Sequence, residues 1–413
     1  MKERELLYGR DRQVERTLES LDTPGRSVFM FGERGVGKTS LAQTSAYLFN
    51  SSDSDPILIS CHPTISFPRL VSQIARRLLG LPIYSTRRLR HTTEAKASAF
   101  GASLLHRIET EPGNVPHEID VNDAVDLLNE IASRAPASER TVVVVDELDR
   151  VQSTDVRRDI AFLLKQLGDR DCPIKFIFVG IGDTVDELLD HHESASRYMA
   201  TIKLERLPLD AIHDILVQGV ARLGFSMSRD IAFRIACISD GFAHYAHLIG
   251  LKTVIRKLLR ESDADPKIGV QDYEAGLIDA IEDSEAWLKS AYDNAVQKYK
   301  DRYEPVLWSV ADHWELERST EHMYPAYVRI CSDLEVEALP RKKFSFALNQ
   351  LKKAAHGPAL ISSRRSWYRF RHSLLRGYSK MCANARGVSV GLNYLESRAE
   401  WRPDSERDGA KRT

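Results

Sequence analysis

The densest chemistry in this chain lies in nine consecutive residues, Gly32-Glu33-Arg34-Gly35-Val36-Gly37-Lys38-Thr39-Ser40. They fit the phosphate-loop spacing G-x-x-x-x-G-K-[ST] in full. The glycines let the backbone curl, so that successive N–H groups point inward at phosphate oxygens. A helix opening on Lys38 adds the positive end of its dipole. In that geometry Lys38 reaches the β- and γ-phosphates, and the Thr39 hydroxyl ligates Mg2+. The expected nucleotide-binding set is therefore Gly32, Arg34, Gly35, Val36, Gly37, Lys38, Thr39 and Ser40. A second acidic cluster, Asp146-Glu147, ends the apolar run Thr141-Val142-Val143-Val144-Val145. An aspartate at a strand tip can hold Mg2+, usually through water. A glutamate beside it can orient or deprotonate an attacking water. Thr39 and Asp146 are thus the expected metal residues, and Lys38 and Glu147 the expected catalytic ones. No Asn-Lys-x-Asp guanine motif occurs, so the expected cofactors are ATP and Mg2+.

Alternating strands and helices must position these residues. Ser27–Phe31 reads as a short buried strand before the loop, and Leu41–Leu48 as the helix after it. Ile57–Ser60, 141–146, 174–179 and 201–204 are further strand candidates. Helices are expected over 67–79, 122–134 and 154–167. The four β-branched residues of Val142–Val145, without polar alternation, predict a strand buried on both faces of a parallel sheet. Right-handed crossovers would then set the ligand at the strand C-terminal ends. From Leu207 onward strand signals almost vanish, and helices are readable at 208–222, 228–238, 241–260 and 270–298. The fold class expected is α/β: a P-loop NTPase parallel sheet with an all-α lid and a C-terminal winged-helix domain. The expected boundaries are 1–206 for the ATPase core with an insertion at 80–118, 207–265 for the lid, and 266–300 for a connecting helix. The winged helix then takes 301–385, and 386–413 forms a disordered tail.

Composition bounds the rest. The chain has 413 residues, of which 43% are hydrophobic and 28% charged, enough apolar mass for several ordinary cores. Five cysteines stand far apart with no C-x-x-C pair, which argues against a disulfide framework or a structural zinc. The charged start Met1-Lys2-Glu3-Arg4-Glu5 lacks the apolar run of a signal peptide, and no segment is apolar for long enough to span a membrane. The expectation is a cytoplasmic protein with no membrane partner.

Net charge is −1, but its distribution is uneven. From Pro340 to Arg386 there are twelve Lys or Arg and no Asp or Glu, so the remaining chain carries −13. A helix starting at Pro340, a Ser-Arg-Arg-Ser turn between two strand candidates, and the interleaved Trp367 and Tyr368 read as a basic winged helix. That is an electrostatic footprint for DNA. The expected DNA-binding residues are Arg341, Lys342, Lys343, Arg364, Arg365 and Arg369.

Tyr8-Gly9-Arg10, Gly32–Thr39, Val142–Glu147 and Val179-Gly180-Ile181-Gly182-Asp183 come in the order and spacing of AAA+ ATPases. The chain most resembles the clade of origin-recognition and cell-division-control initiator ATPases, and the neighbouring STAND-type ATPases. The resemblance implies that the turn at Tyr8 borders the adenine. It also implies that Arg197 is an arginine finger placed by a neighbouring subunit against the γ-phosphate. Two positions depart from the family. Asp183 stands at the sensor position, where a neutral polar residue is usual. It suits a helix cap for Thr184–Leu189, with Thr184 as a substitute sensor. In the lid, Gly241-Phe242-Ala243-His244 replaces Gly-x-Ala-Arg, and His244 is shorter than arginine and charged only when protonated. His247 shares its face, without a third zinc ligand nearby. Both departures imply slow hydrolysis. The functional expectation is an oligomeric ATPase that couples nucleotide state to DNA binding. The alternative is a STAND-like, ATP-dependent oligomerisation switch acting on a protein partner in bacterial defence or signalling.

Overall fold

The computed structural model describes residues 7–50, 55–80, 119–134, 140–181, 197–260, 265–297 and 300–392. The expected insertion and the sensor residue Asp183 lie outside these residues. Two compact units result, one of Met1–Glu33 with Gly37–Glu205, the other of Arg34–Val36 with Arg206–Thr413.

The first unit opens with helix α1 (Asp11–Asp22), whose Val14, Thr17 and Leu21 are buried. Strand β1 (Ser27–Gly32) runs into the loop, and α2 (Lys38–Phe49) leaves it. Next come β2 (Ile57–Ser60), α3 (Phe67–Leu78), α4 (Val121–Arg134) and β3 (Thr141–Asp146). Helix α5 (Thr154–Asp169), β4 (Ile174–Gly180) and β5 (Met199–Leu204) complete it. The Ser153 Oγ accepts from Val156 N at 3.3 Å and so caps α5. The strands form one parallel sheet in the order β2-β3-β4-β1-β5. Alternation along the strands serves two layers. Phe29, Phe31, Val143, Val145, Phe176 and Phe178 join the core with α3, α4 and α5. Val28, Met30, Val142 and Val144 are equally buried, and α1 and α2 pack beside that sheet. The sheet with its flanking helices is the expected P-loop fold.

In the second unit α6 (Leu209–Arg222), α7 (Arg229–Ser239) and α8 (Ala243–Leu259) pack on one another. Strands β6 (Ser226–Met227) and β7 (Lys267–Ile268) form a two-residue parallel pair, too short to leave a periodic signal. The single helix expected at 270–298 is two, α9 (Val270–Glu282) and α10 (Ala286–Val296). Ser284 ends the first by turning its hydroxyl back to the Ala280 carbonyl at 2.7 Å, the competition with backbone that short polar side chains offer. Then follow α11 (Lys300–Ala311), β8 (Glu317–Ser319), α12 (Thr320–Asp333) and α13 (Arg341–Gln350). Strands β9 (Leu360–Ile361) and β10 (Trp367–Phe370) lead to α14 (Ser373–Ala385). The three strands form an antiparallel sheet in the order β8-β10-β9, with Trp367 opposite Ser319 and Phe370 opposite Leu360. The expected hairpin is present; its third strand was not expected.

The tail expected from residue 386 starts later. Val388 and Val390 are buried, Gly391 N donates to Asp312 Oδ1 at 2.8 Å, and Arg386 pairs with the buried Glu304. Apolar burial holds this stretch against the unit. Residues 393–413 lie outside the described ones.

A buried carboxylate links the helices. Asp240 follows α7 in the left-handed region, at φ 55°. It accepts from Arg376 at 2.6 Å, Lys380 at 2.7 Å and Arg206 at 3.1 Å. Arg376 and Lys380 have almost no exposed surface. Burial pushes the Arg376 guanidinium down to about 10 and the Lys380 ammonium down to about 8. Removing Asp240 would leave both cations buried without a counter-charge. Asp240→Ala should therefore cost this unit about 3–5 kcal/mol of stability, read by denaturant unfolding. A loss below about 1 kcal/mol would deny the carboxylate this role.

Candidate nucleotide site and basic surface

The backbone makes the loop before any side chain acts. Gly37 precedes α2 at φ 93°, and Gly35 lies at φ 84°. Both are in the left-handed region that glycine enters freely. Gly32 needs to be glycine for another reason. It pairs with Leu204, and a Cβ there would lie 2.2 Å from the Leu204 carbonyl oxygen. Its constraint is the approach of β5. Helix α2 has no side-chain cap, so its first N–H groups face outward along the axis.

Lys38 is buried, and its Nζ donates to the carbonyls of Gly32 at 2.9 Å and Glu33 at 2.7 Å. Thr39 Oγ1 donates to Asp146 Oδ2 at 2.7 Å. The two residues expected to hold metal, 107 positions apart in sequence, thus meet directly. The other oxygen of Asp146 accepts from Glu147 N at 2.7 Å. Glu147 lies in the left-handed region at φ 57°, and its Oε2 receives Arg150 Nη1 at 2.8 Å. The hard oxygens of Thr39 and Asp146 suit Mg2+, and the uncapped α2 terminus suits a phosphate. Tyr8 adds a buried hydroxyl with no hydrogen-bond partner.

Of the other expected loop residues, Val36 is buried, Arg34 is exposed, and Ser40 is partly exposed. Arg197 is exposed in the turn before β5. The phosphate loop leaves the C-terminal end of β1, and the parallel β5 begins at the other edge. Six residues of strand, about 20 Å, separate Arg197 from the edge that carries Asp146. The chain does not bring its own Arg197 to its own loop. His244 lies in the first turn of α8, in the second unit. Burial pushes its imidazole below the ordinary value, and burial does the same to His247. The shift favours the neutral form of both. Among the described residues no group of three or more His, Cys, Asp or Glu that could hold a metal ion occurs.

Three supporting residues were not singled out in the sequence. Arg10 donates to the Glu205 carbonyl at 2.7 Å, tying the Leu7–Gly9 turn to the end of β5. Burial pushes its guanidinium down to about 10. Asp149 Oδ1 accepts from Ile181 N at 2.8 Å and fixes the chain leaving β4. Arg150 holds Glu147 as described. Only the positions of Asp149 and Arg150 just after the acidic pair could have flagged them. Cys61 also sits here, its N–H on the Asp146 carbonyl at 2.9 Å. Burial, with Asp146 and Glu147 adding to it, pushes its thiol up to about 12 and leaves it inert.

The basic region separates into two populations. Arg376 and Lys380 are consumed by Asp240, and Arg386 by Glu304. Nine of the twelve cations remain at the surface. Arg341, Lys342 and Lys343 are exposed in the first turn of α13, and Arg364, Arg365 and Arg369 on the hairpin. Arg364 stacks on Trp367 at 3.7 Å, and Arg341 lies 5.0 Å from the Tyr324 ring centre.

Fold and site together define a P-loop nucleotide-binding protein. Residues 6–177 match the AAA ATPase domain family. The fold is similar to that of Cdc6p from Pyrobaculum aerophilum, at 15% identity, covering 93% of this chain and 96% of that one with a TM-score of 0.44. It is similar to Orc1 of Aeropyrum pernix, solved in complex with DNA, at 16% identity, 92% and 95% coverage and a TM-score of 0.43. The Holliday junction branch migration motor RuvB of Thermotoga maritima is similar at 12% identity, 94% and 98% coverage and a TM-score of 0.44. No curated protein matches the chain. Among the described residues no helix is long and apolar enough to cross a membrane.

Of the two cations in the loop, Lys38 is buried and Arg34 exposed. Lys38→Ala should abolish ATP binding in an equilibrium titration with a fluorescent ATP analogue. Unchanged affinity would remove the site from residues 32–40.

Proposed function

We propose that this chain binds ATP with Mg2+ at the loop between β1 and α2, hydrolyses it slowly, and couples nucleotide state to DNA binding through a C-terminal winged helix. The 2.7 Å bond from Thr39 to Asp146 carries the ATPase part. It supports a metal held between these two oxygens beside Lys38. When bound, Mg2+ would neutralise charge on the β- and γ-phosphates. Lys38 would donate to the same phosphate oxygens. Glu147 would orient the attacking water and accept its proton. The ion pair with Arg150 competes for that carboxylate, which supports slow turnover. Tyr8 would border the adenine and find a partner for its hydroxyl on the nucleotide. His244 would stand in for the arginine usual at that lid position, with a shorter side chain that is charged only when protonated.

Arg197 would act on the nucleotide of a neighbouring copy, where its charge stabilises the transition state. Its place at the far edge of the sheet from its own loop supports this reading, and with it a homo-oligomer. The DNA part rests on nine surface cations with no intervening acid, and on the order α11, β8, α12, α13, β9, β10, which is that of a winged helix. Arg341, Lys342, Lys343, Arg364, Arg365 and Arg369 would contact phosphates and give affinity without sequence preference.

Glu147→Gln should leave ATP affinity unchanged and lower turnover roughly a hundredfold or more. Retained hydrolysis would remove its role. Changing Lys342, Lys343, Arg364 and Arg365 together to Gln should weaken duplex DNA binding. It should also lower the slope of log K against log salt by about 3.6. No DNA affinity at low salt in the unaltered chain would favour a STAND-like switch acting on a protein partner.

A further inference from the structure

One side of α13 packs inward, through Phe344, Ala347, Leu348 and Leu351, all buried. The opposite side carries Lys342, Phe346 and Asn349 at helical spacing, all exposed. Phe346 is 63% exposed, and between residues 340 and 386 it is the one large hydrophobic in that class. A ring in water beside Lys342 and Lys343 gains nothing for folding.

The neighbouring groups cannot read bases as Phe346 can. The Asn349 amide is committed, donating to the Ser345 carbonyl at 3.0 Å and accepting from the Tyr368 hydroxyl at 3.2 Å. Arg364 is stacked on Trp367. The lysines at the start of the helix suit phosphates, which every sequence offers. A protein-docking groove would need several apolar anchors around the ring, whereas α13 exposes no second large hydrophobic and carries Arg341, Lys342 and Lys343 in its first turn. Charge therefore selects a polyanion as the occupant. A single helix of this width fits the major groove of duplex DNA, about 12 Å wide. The one apolar feature on that groove's floor is the C5-methyl of thymine.

We propose that Phe346 is a specificity-determining residue that packs against thymine methyl groups in the major groove, so that this helix favours A·T-containing duplexes through the methyl itself. The inference rests on the DNA-binding reading above and assigns it a base-reading group. It predicts a preference that phosphate contacts alone cannot produce.

The test uses the full chain and two duplexes of identical A·T-rich sequence. One contains thymine, and the other has deoxyuridine at every thymine, which removes only the methyl groups. The unaltered chain should bind the thymine duplex about fourfold more tightly, the scale of burying one methyl group. Phe346→Ala should bring the two duplexes to parity while retaining binding through the cations. Phe346→Leu, which keeps an apolar tip, should retain part of the preference. Because the ring is exposed, both variants should fold, and matching thermal unfolding would show it. Equal binding of both duplexes by the unaltered chain, or an undiminished preference in Phe346→Ala, would overturn the proposal and leave the DNA-binding reading standing. No binding to either duplex at low salt would overturn that reading, and this one with it.

Discussion

A parallel sheet sends all its strand C-termini to one edge, and every phosphate-site residue of this chain must work within that constraint. Gly32, Asp146 and Gly180 end β1, β3 and β4 on that edge. Yet β4 lies between β1 and β3. The loop and the acidic tip are therefore two strand spacings apart, about 10 Å. Helix α2 closes the gap by packing across β1, β4 and β3. Its first turn can then deliver Thr39 to Asp146. The same constraint puts Arg197 on the wrong edge, since the turn before β5 is an N-terminal end. One rule of strand polarity thus sorts the candidates into those on the edge of the loop and the one, Arg197, on the opposite edge.

Charge in the second unit obeys a different constraint. Asp240 carries one negative charge and receives three cations. The excess is relieved by carbonyl oxygens. Arg376 also donates to Ala311 and His313, and Arg206 to Trp314 at 2.8 Å. These carbonyls lie at and just beyond the end of α11, where a helix presents its negative pole. The buried cations are structural, although in sequence they look the same as those on the hairpin. A count of basic residues therefore overstates the surface field, and burial separates the two kinds. Within residues 340–386 what remains is still of one sign, because no carboxylate falls there.

The legible parts of this protein were those fixed by local pattern. Val142–Val145 could be read as a doubly buried strand because their neighbours offer no polar alternation. The loop could be read because glycine, lysine and threonine occur there at one spacing. The Ser-Arg-Arg-Ser turn announced a hairpin. What could not be read was fixed by distant partners. Arg376 meets Asp240 across 136 residues, and Asp149 meets Ile181 across 32. The break at Asp283–Glu285 escaped because apolar spacing continues through it. Strands β6, β7 and β8 are two or three residues long and follow from their partners. The tail looked polar, but two valines alternating with small residues were enough to fix its first turn.

Asp146 joins these two levels, since it is both the legible motif and the centre of contacts that no motif records. One of its carboxylate oxygens receives Thr39 and the other the N–H of Glu147. Its carbonyl receives Cys61 N. The left-handed backbone at Glu147 is unfavourable for a residue with a Cβ, and the hydrogen bond from its N–H helps to hold it. The proposed metal position and the proposed base would therefore be set by a single side chain. The later point of control is the Glu147 carboxylate, which is half exposed and shared with Arg150. An exposed pair of this kind contributes about 0–1 kcal/mol. It can hold the base back several-fold without disabling it, and any group that draws Arg150 away would release it. The core of the site is thus rigidly set, and its adjustable part lies at the solvent edge, where a partner can reach it.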